Sequence, residues 1–331
     1  MNLHQDKDAF KALLSDVSRR AGIRSDIVEK DYYLTLLLWE LSQRQHNLPA
    51  YFKGGTALYK MIGRVKRFSE DIDLTVEIQG CSRSQGKKRL ETAANAYKEL
   101  RRTTEKERES NQRGSITSVY EYDPVTLVDI EDTLQRFGYV KVEATSFTVS
   151  EPTKPLDISP LLYSEATEAQ RDILEKRFEV KPFSLQTIKM ERIFADKILA
   201  AEFYYQRRML FDTAKHLYDL ATMLEQERIL RLLSDSEELV RMLAYKRKEE
   251  NVRIGSDLAQ KPFSEFTLFQ TGRDDLALRS AFMKMQEIYV FSDEDILQPD
   301  SMLRYMDGLT QYLLSLDENL EHTEQSIQQS R

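Results

Sequence analysis

Between residues 70 and 78 the hydrophobic period is two: Asp71, Asp73, Thr75 and Glu77 alternate with Ile72, Leu74, Val76 and Ile78. A half-buried strand has that period, with side chains of alternate residues on opposite faces. One face here is apolar and the other carries carboxylates. Asp71 and Asp73 therefore point the same way, and two such charges repel unless a cation sits between them. The stretch just before, "YFKGGTALYK" (51–60), places Gly54, Gly55 and Thr56 at the start of a short helical pattern. Glycines opening a helix offer bare backbone N–H groups at its positive end, where a phosphate is favoured. No lysine follows them at the place a Walker A loop requires.

Around this centre the chain reads as a mixture of strands and helices. Residues 6–20 form an amphipathic pattern closed by Gly22, and Ser25 is placed to cap a second helix running to about Gln45. The charged residues 87–110 read as a helix, and 115–123 and 138–149 as strands. Four prolines (152, 155, 160 and 182) punctuate a looser segment. From about 184 onward the pattern is helical, with no strong strand after 183, and the polar last dozen residues read as a fraying end. The expected division is an α/β lobe with N-terminal helices over 1–180 and a helical lobe over 181–331 that completes the active-site cleft.

Charge and composition exclude several classes. The formal net charge of −7 does not suit a protein that coats nucleic acid. Residues 81–113 are locally basic, ten Lys and Arg against five Asp and Glu, which fits either a solvated helix with i,i+4 pairs or an RNA-contacting patch. The longest apolar run, "LTLLLW", is too short to span a bilayer, and the first residues show no apolar signal core. One cysteine, Cys81, and four scattered histidines leave neither a disulfide nor a thiolate zinc site. No membrane partner is expected, and the cytoplasm is the default compartment.

Taken together, "GGTALYK" and "RFSEDIDL" resemble the signature of the DNA polymerase β-like nucleotidyltransferases. The narrower Arg67-x-Ser69-x-Asp71-x-Asp73 form is similar to the AbiEii/AbiGii toxin family within it. Further pieces agree: "VEKDYYLTLLL" (28–38), "YVKVEA" (139–144), "KMERIFADKILA" (189–200) and "AKHLYDLA" (214–221). The last departs from the family's Arg-Asp-x-Tyr-Asp-Leu, because Lys215 and His216 replace the Arg-Asp pair. The resemblance implies an α+β fold, with a nucleotidyltransferase-type mixed β-sheet flanked by helices and a mainly helical C-terminal lobe. It implies a toxin of a toxin–antitoxin or phage-defence system that uses Mg2+ and a nucleoside triphosphate, with a neighbouring antitoxin as partner. The acceptor would be an RNA, foremost a tRNA 3′ end; transfer to a protein side chain is the second reading, and a nucleotide-binding module without turnover the third.

The resemblance also assigns residues. Asp71 and Asp73 would hold the metal; Gly54, Gly55 and Thr56 the triphosphate. Ser69 would contact a phosphate or brace the strand, and Arg67 and Lys197 would offset charge on the leaving pyrophosphate. Asp219 would order Lys197 or touch the nucleotide. Glu143 would be a third carboxylate, with Asp123 and Asp129 as rivals. Lys60, Arg64, Lys66 and Arg67 would surround the site with positive charge. Lys197 also stands out on pattern alone: it shares a helical stripe with Met190, Ile193, Phe194, Ile198 and Ala201, where a lysine must snorkel or meet an anion.

Overall fold

The computed structural model describes residues 1–126, 137–147, 152–254 and 261–329. The chain divides into two compact units. The first comprises Met1–Gly63, Phe68–Ser146 and Thr153–Ile188; the second comprises Arg64–Arg67, Phe147–Pro152 and Lys189–Arg331.

The first unit is built on one mixed sheet. Its strands are β1 (Ala50–Lys53), β2 (Asp71–Val76), β3 (Arg101–Arg102), β4 (Ser110–Gln112), β5 (Ser115–Glu121), β6 (Tyr139–Thr145), β7 (Thr153–Ile158) and β8 (Phe183–Ile188). Their order is β3-β5-β6-β2-β1-β8-β7, with β4 paired to β5. β2 lies between antiparallel β1 and parallel β6. The expected alternation holds: Ile72 and Leu74 are fully buried while Asp71 and Asp73 are half-buried. Helices α1 (Lys7–Ala21), α2 (Ser25–Ser42), α3 (Gly54–Ile62), α4 (Arg83–Asn95), α5 (Leu161–Ser164) and α6 (Glu168–Phe178) complete this unit. Gly22 closes α1 in the left-handed conformation, and the capping position of α2 falls to Arg24 rather than Ser25.

Apolar on nearly every side, α2 is buried almost throughout, as such a helix must be. Its charged residues are each answered. Glu29 accepts from the Val125 and Thr126 N–H groups at 2.7 and 3.1 Å. Asp31 pairs with Lys60 at 2.7 Å and accepts from the Tyr59 hydroxyl and the Leu161 N–H, both at 2.6 Å. The "EKD" motif thus fastens α2 to α3 and to the chain around 125 and 161.

The second unit is helical: α7 (Met190–Gln206), α8 (Leu210–Leu224), α9 (Glu227–Ser234), α10 (Ser236–Ile254), α11 (Thr267–Thr271), α12 (Leu276–Tyr289), α13 (Pro299–Leu314) and α14 (Asp317–Gln329). Further expectations need correction, among them the looser segment around the prolines, where Thr153–Ile158 form β7. Residues 183–188 are a strand, β8, pairing with β1 and β7. The helix read over 87–110 is α4 ending at Asn95, followed by the short strands β3 and β4. The polar C-terminal residues form α14 up to Gln329.

Candidate active site

The two halves of the glycine–aspartate motif meet in the first unit. Gly54 opens α3 with φ of +81°, a conformation that favours glycine. A Cβ placed on it would lie 1.9 Å from Asp73 Oδ2. The carboxylate therefore occupies space that only a glycine leaves. Lys53 takes the capping position of α3 in extended conformation, and its side chain makes no capping hydrogen bond to the first-turn N–H groups. Thr56 is fully buried, and its hydroxyl donates to the Asp71 carbonyl at 2.6 Å. Its side chain ties helix to strand, so any part toward a phosphate would fall to its backbone N–H.

Register fixes the surroundings of the carboxylates. Asp73 stands opposite Lys53 on β1 and Glu143 on β6, and Asp71 opposite Lys141. Glu143 is exposed. The Asp71 charge, with smaller contributions from Glu70 and Glu143, raises the Lys141 pKa against the effect of burial. Asp71 Oδ1 is buried and has no hydrogen-bond partner among the described residues. A buried carboxylate oxygen without a donor is costly, and a hard divalent cation answers it. Magnesium takes one or two carboxylates and completes its octahedron with water and substrate phosphates, so Asp71 and Asp73 fit it. Among the described residues no group of three or more His, Cys, Asp or Glu side chains stands close enough together to hold a metal ion. Ser69 is half-buried beside the strand, and Asp123 is exposed beyond the end of β5. Asp129 lies outside the described residues.

Lys141 and Lys53 had not been assigned by the sequence. The signal for Lys141 was its place two residues before Glu143, which puts it on the same face. Behind them Lys30, fully buried, lies over the Tyr139 ring at 4.8 Å, and Arg108 lies over the same ring at 5.0 Å.

The basic run 60–67 is not a loose fringe of charge. Lys60 turns to Asp31 and to the Ser159 carbonyl at 2.8 Å; burial lowers its pKa while Asp31 opposes that shift. Arg64 to Arg67 belong to the second unit for a visible reason. Arg64 pairs with Asp295 at 2.9 Å, Lys66 with Glu225, and the Lys66 carbonyl accepts from the Tyr218 hydroxyl at 3.1 Å. Arg67 forks onto Asp219 at 2.9 and 2.7 Å. The same Asp219 accepts from Lys197 at 2.6 Å. All three are buried. Burial alone would raise the Asp219 carboxyl, but the Arg67 and Lys197 charges overrule it and hold it well below the usual carboxylate range. The stripe read around Lys197 is buried as expected, and its ammonium is neither snorkelling nor unpaired. His216 stacks on Tyr204 at 5.2 Å. Burial, then the Lys197 charge, lowers its pKa to about 3, so the residue replacing an acid in this motif is a neutral imidazole at pH 7.

A glycine-opened helix locked against a two-carboxylate strand in a mixed sheet defines a nucleotidyltransferase-type fold. The family described as nucleotidyl transferase AbiEii toxin, type IV toxin–antitoxin system, matches residues 36–298, and the chain belongs to it; it is a nucleotidyltransferase. Among solved structures, MenT4, a nucleotidyltransferase toxin from Mycobacterium tuberculosis H37Rv, is similar over 94% of this chain and 92% of its own, with a TM-score of 0.55 and 16% identity. At that identity the likeness speaks for the fold. No curated protein matches in sequence. Among the described residues no helix is long and apolar enough to cross a membrane.

Proposed function

We propose that this nucleotidyltransferase moves a nucleotide from a nucleoside triphosphate to an RNA acceptor, foremost a tRNA 3′ end, as the toxin of a pair with a cognate antitoxin. The observation that carries the reading is the contact between Gly54 and the Asp73 carboxylate, with the unpartnered Asp71 Oδ1 on the same strand face. Asp71 and Asp73 would hold Mg2+, which when bound supplies charge neutralisation at the reacting phosphate. The backbone N–H groups of Gly54, Gly55 and Thr56 orient the triphosphate tail at the start of α3. Lys141 and Lys53 offset the negative charge that gathers on this face. Ser69 braces the segment entering β2. Glu143, exposed opposite Asp73, is the candidate base for the acceptor hydroxyl. Arg67 and Lys197 are both held by Asp219 and would turn to a phosphate only by sharing that partner.

Incubation with each labelled nucleoside triphosphate, magnesium and total RNA tests the reading. It is supported if an RNA band gains label. Label on a protein band instead would transfer the proposal to a side-chain acceptor, and nucleotide binding without any label would favour a module without turnover.

A further inference from the structure

The basic segment 81–113 separates into two kinds of residue. Lys87 pairs with Glu91, Arg101 with Glu121, and Arg102 with Glu109. Lys88 and Arg89 instead face an open cavity of about 610 Å3 that also receives Arg44, His46, Asn47 and Gln79. No Asp or Glu lines it among the described residues. Arg89 donates to the Glu77 carbonyl at 2.8 Å, and Arg44 to the Glu40 and Thr92 carbonyls at 3.3 and 3.5 Å. Carbonyl oxygens fix the direction of a guanidinium without cancelling its charge. Arg44 is answered further, by the Tyr97 ring at 4.7 Å and by the Glu40 charge, and its Nη2 is buried away from the cavity. In a chain of net charge −7, Lys88 and Arg89 converging on an acid-free cavity require a reason.

The lining indicates the ligand. Cations, amides and the Thr92 hydroxyl suit phosphate and ribose oxygens, and no Phe, Tyr or Trp is present to stack a base. The cavity lies where β2 ends and β1 begins, whereas Asp71 begins β2. At roughly 3.3 Å per residue, β2 separates the two by about 17 Å. A polynucleotide spans that length readily. Resting on the RNA-acceptor reading above, we propose that this cavity is a docking site for the sugar–phosphate backbone of the acceptor RNA, remote from its reacting end.

Cys81, the only cysteine, lines the cavity and reports on it. The wild-type protein, without nucleotide so that no transfer occurs, is mixed with total tRNA, and alkylation of Cys81 is timed. RNA affinity is measured against salt for the wild type and for a Lys88→Glu, Asn47→Asp variant, both positions being exposed. The proposal expects tRNA to slow alkylation. It expects the variant to bind RNA about 10-fold or more weakly, with a log–log salt slope shallower by about one. Unchanged RNA affinity in the variant overturns it, as does a wild type that binds no RNA. Protection of Cys81 by a nucleoside triphosphate and not by tRNA overturns it in favour of a small-anion site. Failure of this site is separable from failure of the function reading. RNA labelling by the wild type with unchanged RNA affinity in the variant sinks only the docking site. Cavity-dependent RNA binding with no RNA labelled under nucleotide and magnesium sinks only the acceptor reading.

Discussion

The carboxylates of β2 and the carboxylate of α8 are opposites. Asp71 is half-buried, carries an oxygen with no donor among the described residues, and shares its strand face with a second acid that a glycine makes room for. Asp219 is buried and holds two cations at hydrogen-bonding distance. An acid kept incomplete is a place for something not in the chain; an acid completed by Arg67 and Lys197 is a joint. This difference changes the meaning of Lys197. Its ammonium is already committed to Asp219, so it binds a phosphate only by sharing or exchanging that partner.

The comparison predicts opposite outcomes for two isosteric changes. Asp71→Asn or Asp73→Asn should lower nucleotide transfer by about 100-fold or more, while thermal unfolding shows little change in stability, because relief of the like-charge repulsion offsets the charge lost beside Lys141. Near-parental transfer in both variants breaks the two-carboxylate account. Asp219→Asn should instead cost stability, about 3–5 kcal/mol by denaturant unfolding, since Arg67 and Lys197 are left buried without their counter-charge. The sign with pH follows from the depressed Asp219 carboxyl. Its contribution is present above the unfolded carboxylate pKa of about 3.9 and lost as pH falls through the lower folded value. The gap between parent and variant should therefore hold at neutral pH and close only in strong acid.

Gly54→Ala should cost about 1–3 kcal/mol, through positive φ and a methyl driven into the Asp73 carboxylate. Transfer should fall with it, because Asp73 must turn away; a variant with intact stability and activity would show that this contact is not needed. The smallest effect concerns His216. With a folded pKa near 3 against an unfolded value of about 6.5, it should stay neutral by NMR from pH 8 to pH 5. Its contribution to stability is present above the unfolded value and declines as pH falls below it. An imidazole titrating near 6.5 in the folded protein would contradict its burial beside Lys197.

Local rules made β2 legible, since alternation over six residues needs no partner to be seen. They also exposed Lys197, an isolated charge in an apolar stripe. The Arg67–Asp219 pair spans 152 positions, and no period in a sequence reports a contact at that separation. Pro155 makes β7 look like loose chain in the sequence; the strand lies at the edge of the sheet, where a proline removes no needed hydrogen bond. β8 is short and runs directly into α7, so its alternation was absorbed into the helical pattern that follows. Lys60 misled for a related reason: the sequence places it among basic residues, and only the fold shows it turned toward Asp31 on another helix.

The central claim is that Asp71 and Asp73 form a metal-and-phosphate site. Calorimetric titration of a nucleoside triphosphate into the wild type and Asp71→Asn, with and without magnesium, tests it most directly. The account predicts that magnesium strengthens nucleotide binding by the wild type and has little effect on the variant. The same magnesium-dependent gain in both proteins would contradict it.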